Sequence, residues 1–172
     1  MSTRIAIEPL SKAAFAPFGD VLEIDGAADK IINQGLCGRY HDRADLDFTD
    51  GKAGISLFQS QTRTLPYTLE MVERHPFGSQ AFLPMSPDPF LVIVAPDKGG
   101  KPTTPRAFKT NGAQGVNYHR NTWHGVLTPL NPPGLFAVVD RIASDANLEE
   151  FWFDTPYIVA ASLTKPAERP AS

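Results

Sequence analysis

The stretch Val72–Phe82, V-E-R-H-P-F-G-S-Q-A-F, reads as a β-strand, a tight Pro-Phe-Gly turn and the start of a returning strand. Side chains of a strand alternate between its faces, so Glu73 and His75 share one face and Val72 and Arg74 the other. Past the turn, Gln80 and Phe82 come back to the Glu73/His75 side. A carboxylate, an imidazole and an amide therefore converge from adjacent strands, the floor of a polar site in an otherwise apolar barrel. A second stretch, Gly112–Leu127, supplies the facing partner with Gly115, Tyr118, His119, Trp123 and His124.

Outward from this stretch the chain breaks into short strands. Leu65–His75 alternates, which puts Leu69, Met71, Glu73 and His75 on one face. Ser79–Leu83 and Phe90–Ala95 flank P-M-S-P-D-P, a connection no helix crosses because proline lacks the backbone N–H and clashes with the preceding turn. Phe90–Ala95 is continuously apolar, which predicts burial on both faces. Arg4–Ile7, Gly19–Ile24, Gly54–Gln59, Arg106–Thr110, Gly134–Arg141 and Glu149–Phe153 read as further strands. Ser11 is placed to N-cap one or two helical turns, S-K-A-A-F-A, closed by Pro17 and Gly19. Asn111-Gly112 marks a turn. The 16 prolines and 13 glycines cut the chain into short pieces, which favours a many-turned β protein, a barrel or sandwich, over a helix bundle. No internal repeat or linker separates two cores, so residues 1–163 read as one all-β, mainly antiparallel domain, with a mobile tail at 164–172.

Composition removes several classes of partner. A net charge of −3 leaves no basic stripe for phosphates, so nucleic acid is not expected to bind. Glu8 and Pro9 interrupt the apolar core a secretion signal requires, and the longest apolar run is far too short to span a bilayer. Cys37 is the single cysteine, with no surroundings that mark a nucleophile, and suits a reducing compartment. A cytoplasmic protein with no membrane partner is expected.

The spacing Glu73-x-His75-x4-Gln80 resembles the first motif of metal-binding cupins, His-x-His-x4-Glu, and Gly115–His124 resembles the second, which ends in the fourth ligand. That likeness nominates Glu73, His75, Gln80 and His124 as ligands of a divalent metal. Glutamate stands for the first histidine and glutamine for the glutamate. An amide oxygen is a poor ligand, and two imidazoles with one carboxylate are looser in metal choice than three imidazoles.

The resemblance reaches further. I-N-Q-G-L-C-G-R-Y-H-D (Ile32–Asp42), E-R-H-P-F-G-S-Q-A-F-L-P-M (Glu73–Met85), N-G-A-Q-G-V-N-Y-H-R-N-T-W-H (Asn111–His124) and V-V-D-R (Val138–Arg141) resemble the ureidoglycolate lyase family, from about Pro9 to Asn147. The resemblance implies a cupin-like double-stranded barrel with one or two short helices, a homodimer, and a divalent metal, often nickel. It implies release of urea from (S)-ureidoglycolate, leaving glyoxylate, late in allantoin and purine breakdown.

That chemistry is an elimination from a hemiaminal. It needs a base for the hydroxyl proton, an acid for the departing urea nitrogen and a cation for the carboxylate. A metal chelating the α-hydroxy acid makes the hydroxyl more acidic. His119 is the preferred proton carrier, because an imidazole titrates near operating pH, with Glu73 and His75 beside it as catalytic candidates. Arg39, Arg74 and Arg141 are candidate carboxylate clamps, although alternation turns Arg74 off the His75 face. Gln80, Asn117, Tyr118 and Trp123 complete the substrate-contact candidates. Asn33, Arg39, Tyr40 and His41 are expected at a dimer contact or in a neighbour's cavity. Each residue has a structural alternative: His75 capping a strand end, Glu73 pairing an arginine, Trp123 walling a pocket, and Asp140 with Arg141 forming an ion pair. Two functions remain beside the lyase: a hydrolase of the same substrate yielding ammonia and carbon dioxide, and a non-catalytic cupin binding small acids.

Overall fold

Phe90–Ala95 is buried along its whole length, and its alternation divides the interior in two. The structure, a computed structural model, describes residues 3–161. Phe90, Val92 and Val94 enter a cluster with Phe15, Phe18, Phe82, Phe108, Val116, Tyr118, Phe136 and Val138. Leu91, Ile93 and Ala95 enter a second one with Ile5, Leu69, Val72, Ala107, Trp123 and Val159.

Strand pairing explains the division. Arg106–Lys109, Arg4–Pro9, Glu149–Ala160, Tyr67–Arg74, Trp123–His124 and Phe90–Ala95 pair in that order, and Phe90–Ala95 pairs back to Arg106–Lys109. The result is a closed barrel filled by the second cluster. Arg4–Pro9 runs parallel to both neighbours, and the other pairs are antiparallel. Gly19–Leu22, Gly115–Tyr118, Gln80–Pro84, Leu135–Ile142 and Lys52–Gln59 form an antiparallel sheet laid against the barrel. The first cluster lies between that sheet and the barrel's outer wall, so Phe90–Ala95 is apolar on both faces for a reason. The expected all-β, cupin-like barrel is present.

The expected N-cap is present too: the Ser11 hydroxyl accepts from the Ala14 N–H at the head of the Lys12–Phe15 helix. That turn delivers Phe15 into the core against Phe18, Phe108 and Tyr118.

Three expectations change. First, the strand after the Pro-Phe-Gly turn does not fold back on its predecessor. Both edges of Tyr67–Arg74 are taken by Glu149–Ala160 and Trp123–His124, and both edges of Gln80–Pro84 by Gly115–Tyr118 and Leu135–Ile142. The turn carries the chain from the barrel to the facing sheet, and P-M-S-P-D-P carries it back. Second, Leu69 and Val72 both enter the barrel cluster, so Leu69 does not share the Glu73 face. Pairing with Glu149–Ala160 shifts register between Trp152 and Tyr157, an irregularity of the β-bulge kind that breaks alternation. Third, Glu149–Phe153 continues to Ala160 and joins Arg4–Pro9. Ile31–His41 holds a small exposed hairpin, Lys30–Ile32 against Cys37–Arg39. The tail at 164–172 lies outside the described residues.

Phe15 is fully buried with three aromatic neighbours. Phe15→Ala is expected to cost about 3–5 kcal/mol, read as a lower urea midpoint at unchanged slope.

Candidate active site

The polar site lies between the two layers, where the first cluster meets the end of the barrel. Glu73 and His124 are register partners on neighbouring barrel strands and so project from the same face. His75 stands just beyond the end of Tyr67–Arg74. One ligating atom of each of Glu73, His75 and His124 lies within 4.8 Å of the others. Gln80 reaches in from the facing sheet, its Oε1 3.2 Å from His75 Nε2. The expected members therefore meet, with two exchanged: His124 sits beside Glu73, and Gln80 comes from across.

Backbone carbonyls orient both imidazoles. His75 Nδ1 donates to the Asn147 carbonyl at 2.7 Å, and His124 Nδ1 to the Gly125 carbonyl at 3.0 Å. The His124 ring then carries its lone pair on Nε2, while His75 Nε2 faces the Gln80 amide oxygen. His124 Nε2 is buried and has no hydrogen-bond partner. The Tyr118 ring stacks on His124 at 4.3 Å with planes 5° apart, and the His75 ring centroid is 5.2 Å from that of His124. Burial, and then the nearby His75, push His124 down to about 3, so it stays neutral at working pH. Burial raises Glu73 above the usual carboxylate range; His75 opposes this and Glu150 adds to it. Gln80 donates weakly to Asp140 Oδ2 at 3.4 Å, which turns the amide oxygen toward His75.

These residues fit a divalent metal. An orphaned, buried imidazole nitrogen beside a second imidazole and a carboxylate is a donor set for a first-row ion, and both Nδ1–H groups already bind carbonyls, as metal-bound histidines do. A cavity of about 560 Å³ opens onto Glu73 and Gln80, walled by Phe58 and Phe82 and edged by Ser60 and Arg63.

Other candidates stand elsewhere. His119 donates to Asp20 Oδ2 at 3.0 Å, the same oxygen that accepts from Asn117 Nδ2. Asn117 and Tyr118 are consecutive strand residues, and Tyr118 faces His124. Asn117 and His119 therefore belong to the opposite face of the sheet, away from Glu73. Trp123 points into the barrel, with its Nε1–H on Asp97 and the Arg74 guanidinium 4.3 Å from its ring. Arg74 is held by Glu149 and Asp97, and Arg141 by Asp145 and the carbonyls of Thr49 and Asp50. Both guanidiniums are committed to structure. Asp140 binds Gln80, so the expected Asp140–Arg141 ion pair is replaced by Arg141–Asp145. Arg39 is exposed on the hairpin.

Arg63 and Asn147 carry no signal in the sequence, and Asp140 stands there only as a partner for Arg141. Arg63 sits in Q-T-R-T, a loop with no motif. Asn147 acts through its carbonyl, and its side-chain oxygen accepts from the Phe77 N–H, so no side-chain pattern announces it.

A closed β-barrel with a facing sheet, and two imidazoles and a carboxylate gathered between them, defines a cupin-like protein. The family profile described as ureidoglycolate lyase matches residues 2–160, and the chain belongs to that family. It is 58% identical over 157 residues to the ureidoglycolate lyase of Rhodobacter capsulatus, covering 91% of this chain and 98% of the relative. Ureidoglycolate lyase 2 of Rhizobium meliloti is 52% identical over 157 residues (90% and 96% covered). Ureidoglycolate lyase of Brucella anthropi is 49% identical over 166 residues (95% and 97% covered).

A lowered folded pKa means that the unfolded chain takes up a proton the fold refuses. The stability His124 contributes is present above 6.5 and lost as pH falls toward about 3. Across that window the urea midpoint of metal-stripped wild-type protein is expected to fall more steeply than that of His124→Gln. Parallel curves would remove the argument.

Proposed function

We propose that this protein cleaves ureidoglycolate to glyoxylate and urea. The observation that carries this reading is the convergence of Glu73, His75, His124 and Gln80 beside a cavity, in a chain of the ureidoglycolate lyase family. In this elimination the hydroxyl proton leaves oxygen, the carbon–nitrogen bond breaks, and the urea nitrogen gains a proton. No proton is consumed, so one group can take it and return it. Glu73 suits that work: burial raises its proton affinity, and it faces the cavity. Its carboxylate accepts the hydroxyl proton and hands it to the departing nitrogen. His75, fixed by the Asn147 carbonyl, stands beside Gln80 and Glu73. Phe58 and Phe82 give the cavity an apolar wall beside Glu73 and Gln80.

Glu73, His75 and His124, with Gln80 at their edge, would hold a divalent ion, nickel being compatible with the donors. Such an ion supplies Lewis acidity that makes the substrate hydroxyl easier to deprotonate. A place late in allantoin and purine breakdown is part of the same proposal, supported by membership of the ureidoglycolate lyase family. A cytoplasmic setting is part of the same proposal, supported by the unpaired Cys37; among the described residues no helix is long and apolar enough to cross a membrane.

Glu73→Gln tests the reading twice. Urea release is expected to fall by roughly 10²–10⁴-fold. Because the folded pKa of Glu73 is raised, the stability it favours is present below 4.5 and is lost as pH rises through the folded value. The neutral amide avoids that loss, so metal-stripped Glu73→Gln should melt higher than wild type at pH 7 and no higher near pH 4. Wild-type release of ammonia without urea, or a fully active Glu73→Gln, would defeat the proposal. Chelator-stripped protein with divalent ions added back tells whether the cluster works with a metal.

A homodimer belongs to the same proposal. Ile55 (77% exposed), Leu57 (68%) and Leu83 (40%) line the outer face of the five-stranded sheet. Register joins them through Val139 and Ala137 into one apolar stripe. Light scattering at micromolar concentration should give twice the chain mass, and Leu57→Asp the single mass; a monomeric wild type would rule the contact out.

A further inference from the structure

We propose that Arg63 is the residue that grips the substrate carboxylate, an assignment that rests on the lyase reading. The substrate is an anion entering a cavity that already holds the Glu73 carboxylate, and a cation at the rim offsets the repulsion. The other arginines placed among the described residues are spent or remote, Arg4 standing at the start of Arg4–Pro9 and not lining the cavity. Arg43 pairs with Asp29, Arg74 with Glu149 and Asp97, Arg106 with Glu8, Arg120 with Asp47 and Arg141 with Asp145. Arg39 stands on the outlying hairpin. Arg63 alone among them lines the cavity with Glu73 and Gln80, and no side chain among the described residues pairs with its guanidinium.

Its position is set by backbone bonds. The Arg63 N–H donates to the Pro129 carbonyl at 2.8 Å, and the Ser60 N–H to the Gly134 carbonyl at 2.8 Å. The Ser60 hydroxyl reaches the Leu127 carbonyl at 3.3 Å. The loop from 60 to 63 is thus tied down at both ends, with only the long side chain left to move. A guanidinium meets a carboxylate through two parallel N–H···O bonds, which orients the acid as well as attracting it. A carboxylate held at the rim leaves the rest of the substrate in the cavity that Glu73 and Gln80 also line.

The test compares wild type, Arg63→Ala and Arg63→Lys on ureidoglycolate and on its carboxamide analogue, with urea release as readout. For Arg63→Ala, KM for the acid is expected to rise roughly 10- to 100-fold with kcat changed far less. Inhibition by glyoxylate should weaken in parallel, and wild-type preference for acid over amide should collapse. Arg63→Lys should recover part of the affinity, and added guanidinium ion part of the loss in Arg63→Ala. Arg63 is exposed, so melting temperatures should agree; a merely structural role would lower stability and leave the acid-to-amide preference intact. Wild-type turnover with an unchanged KM and preference in Arg63→Ala overturns the assignment while the lyase reading stands. A wild type that releases no urea overturns the reading and the assignment together.

Discussion

Two peptide carbonyls set the orientation of the candidate site. Asn147 and Gly125 each take the Nδ1 proton of a histidine, and that choice decides which nitrogen of His75 and of His124 is left to act. Without those acceptors either ring is free to flip its tautomer or turn, and the two Nε2 atoms no longer point at a common place. The carbonyls are themselves held by the fold. Gly125 follows a strand residue paired on both sides, and its N–H is bonded to Ile93; Asn147 is tied to the Pro-Phe-Gly turn through the Phe77 N–H. A binding centre is therefore oriented by main chain, which moves less than side chains do.

Electrostatics and packing are linked at the same spot. The Tyr118 ring lies flat on His124, and the aromatic cluster of Phe82, Phe136 and Phe15 continues behind it. These rings exclude water, which is why His124 is held neutral and Glu73 is driven toward its protonated form. The fold accepts a half-buried acid and an unpaired imidazole nitrogen, both unfavourable for stability, because the surrounding layers over-determine their positions. Charges elsewhere follow the opposite pattern. Arg74 bonds two carboxylates and covers Trp123, and Arg141 is buried under three acceptors, so these cations serve the scaffold.

What was legible in the chain was what short range dictates. Alternation put Glu73 and His75 on one face, six apolar residues marked Phe90–Ala95 as buried on both sides, and Ser11 announced the helix it caps. Motif spacing brought Gln80 and His124 to the same site. The chemical type of His119 suits a proton carrier, yet His119 and Asn117 bond Asp20 on the face away from Tyr118 and His124, because neighbours on a strand face opposite ways. Leu69 was grouped with Glu73 because alternation was extended through a bulge that no local signal marks.

The amino-acid sequence by itself determined the all-β class, the punctuation of the strands and the chemical types that meet at the site. Those follow from backbone preferences and periodicities a few residues long. Only the tertiary structure decided that the chain crosses between layers at Pro76–Gly78, that His124 stands beside Glu73 while Gln80 faces them, and that Arg63 borders the cavity in place of Arg74 or Arg141. Each of these depends on which strand edges are already occupied when the layers close, and that is a property of the whole assembly of strands.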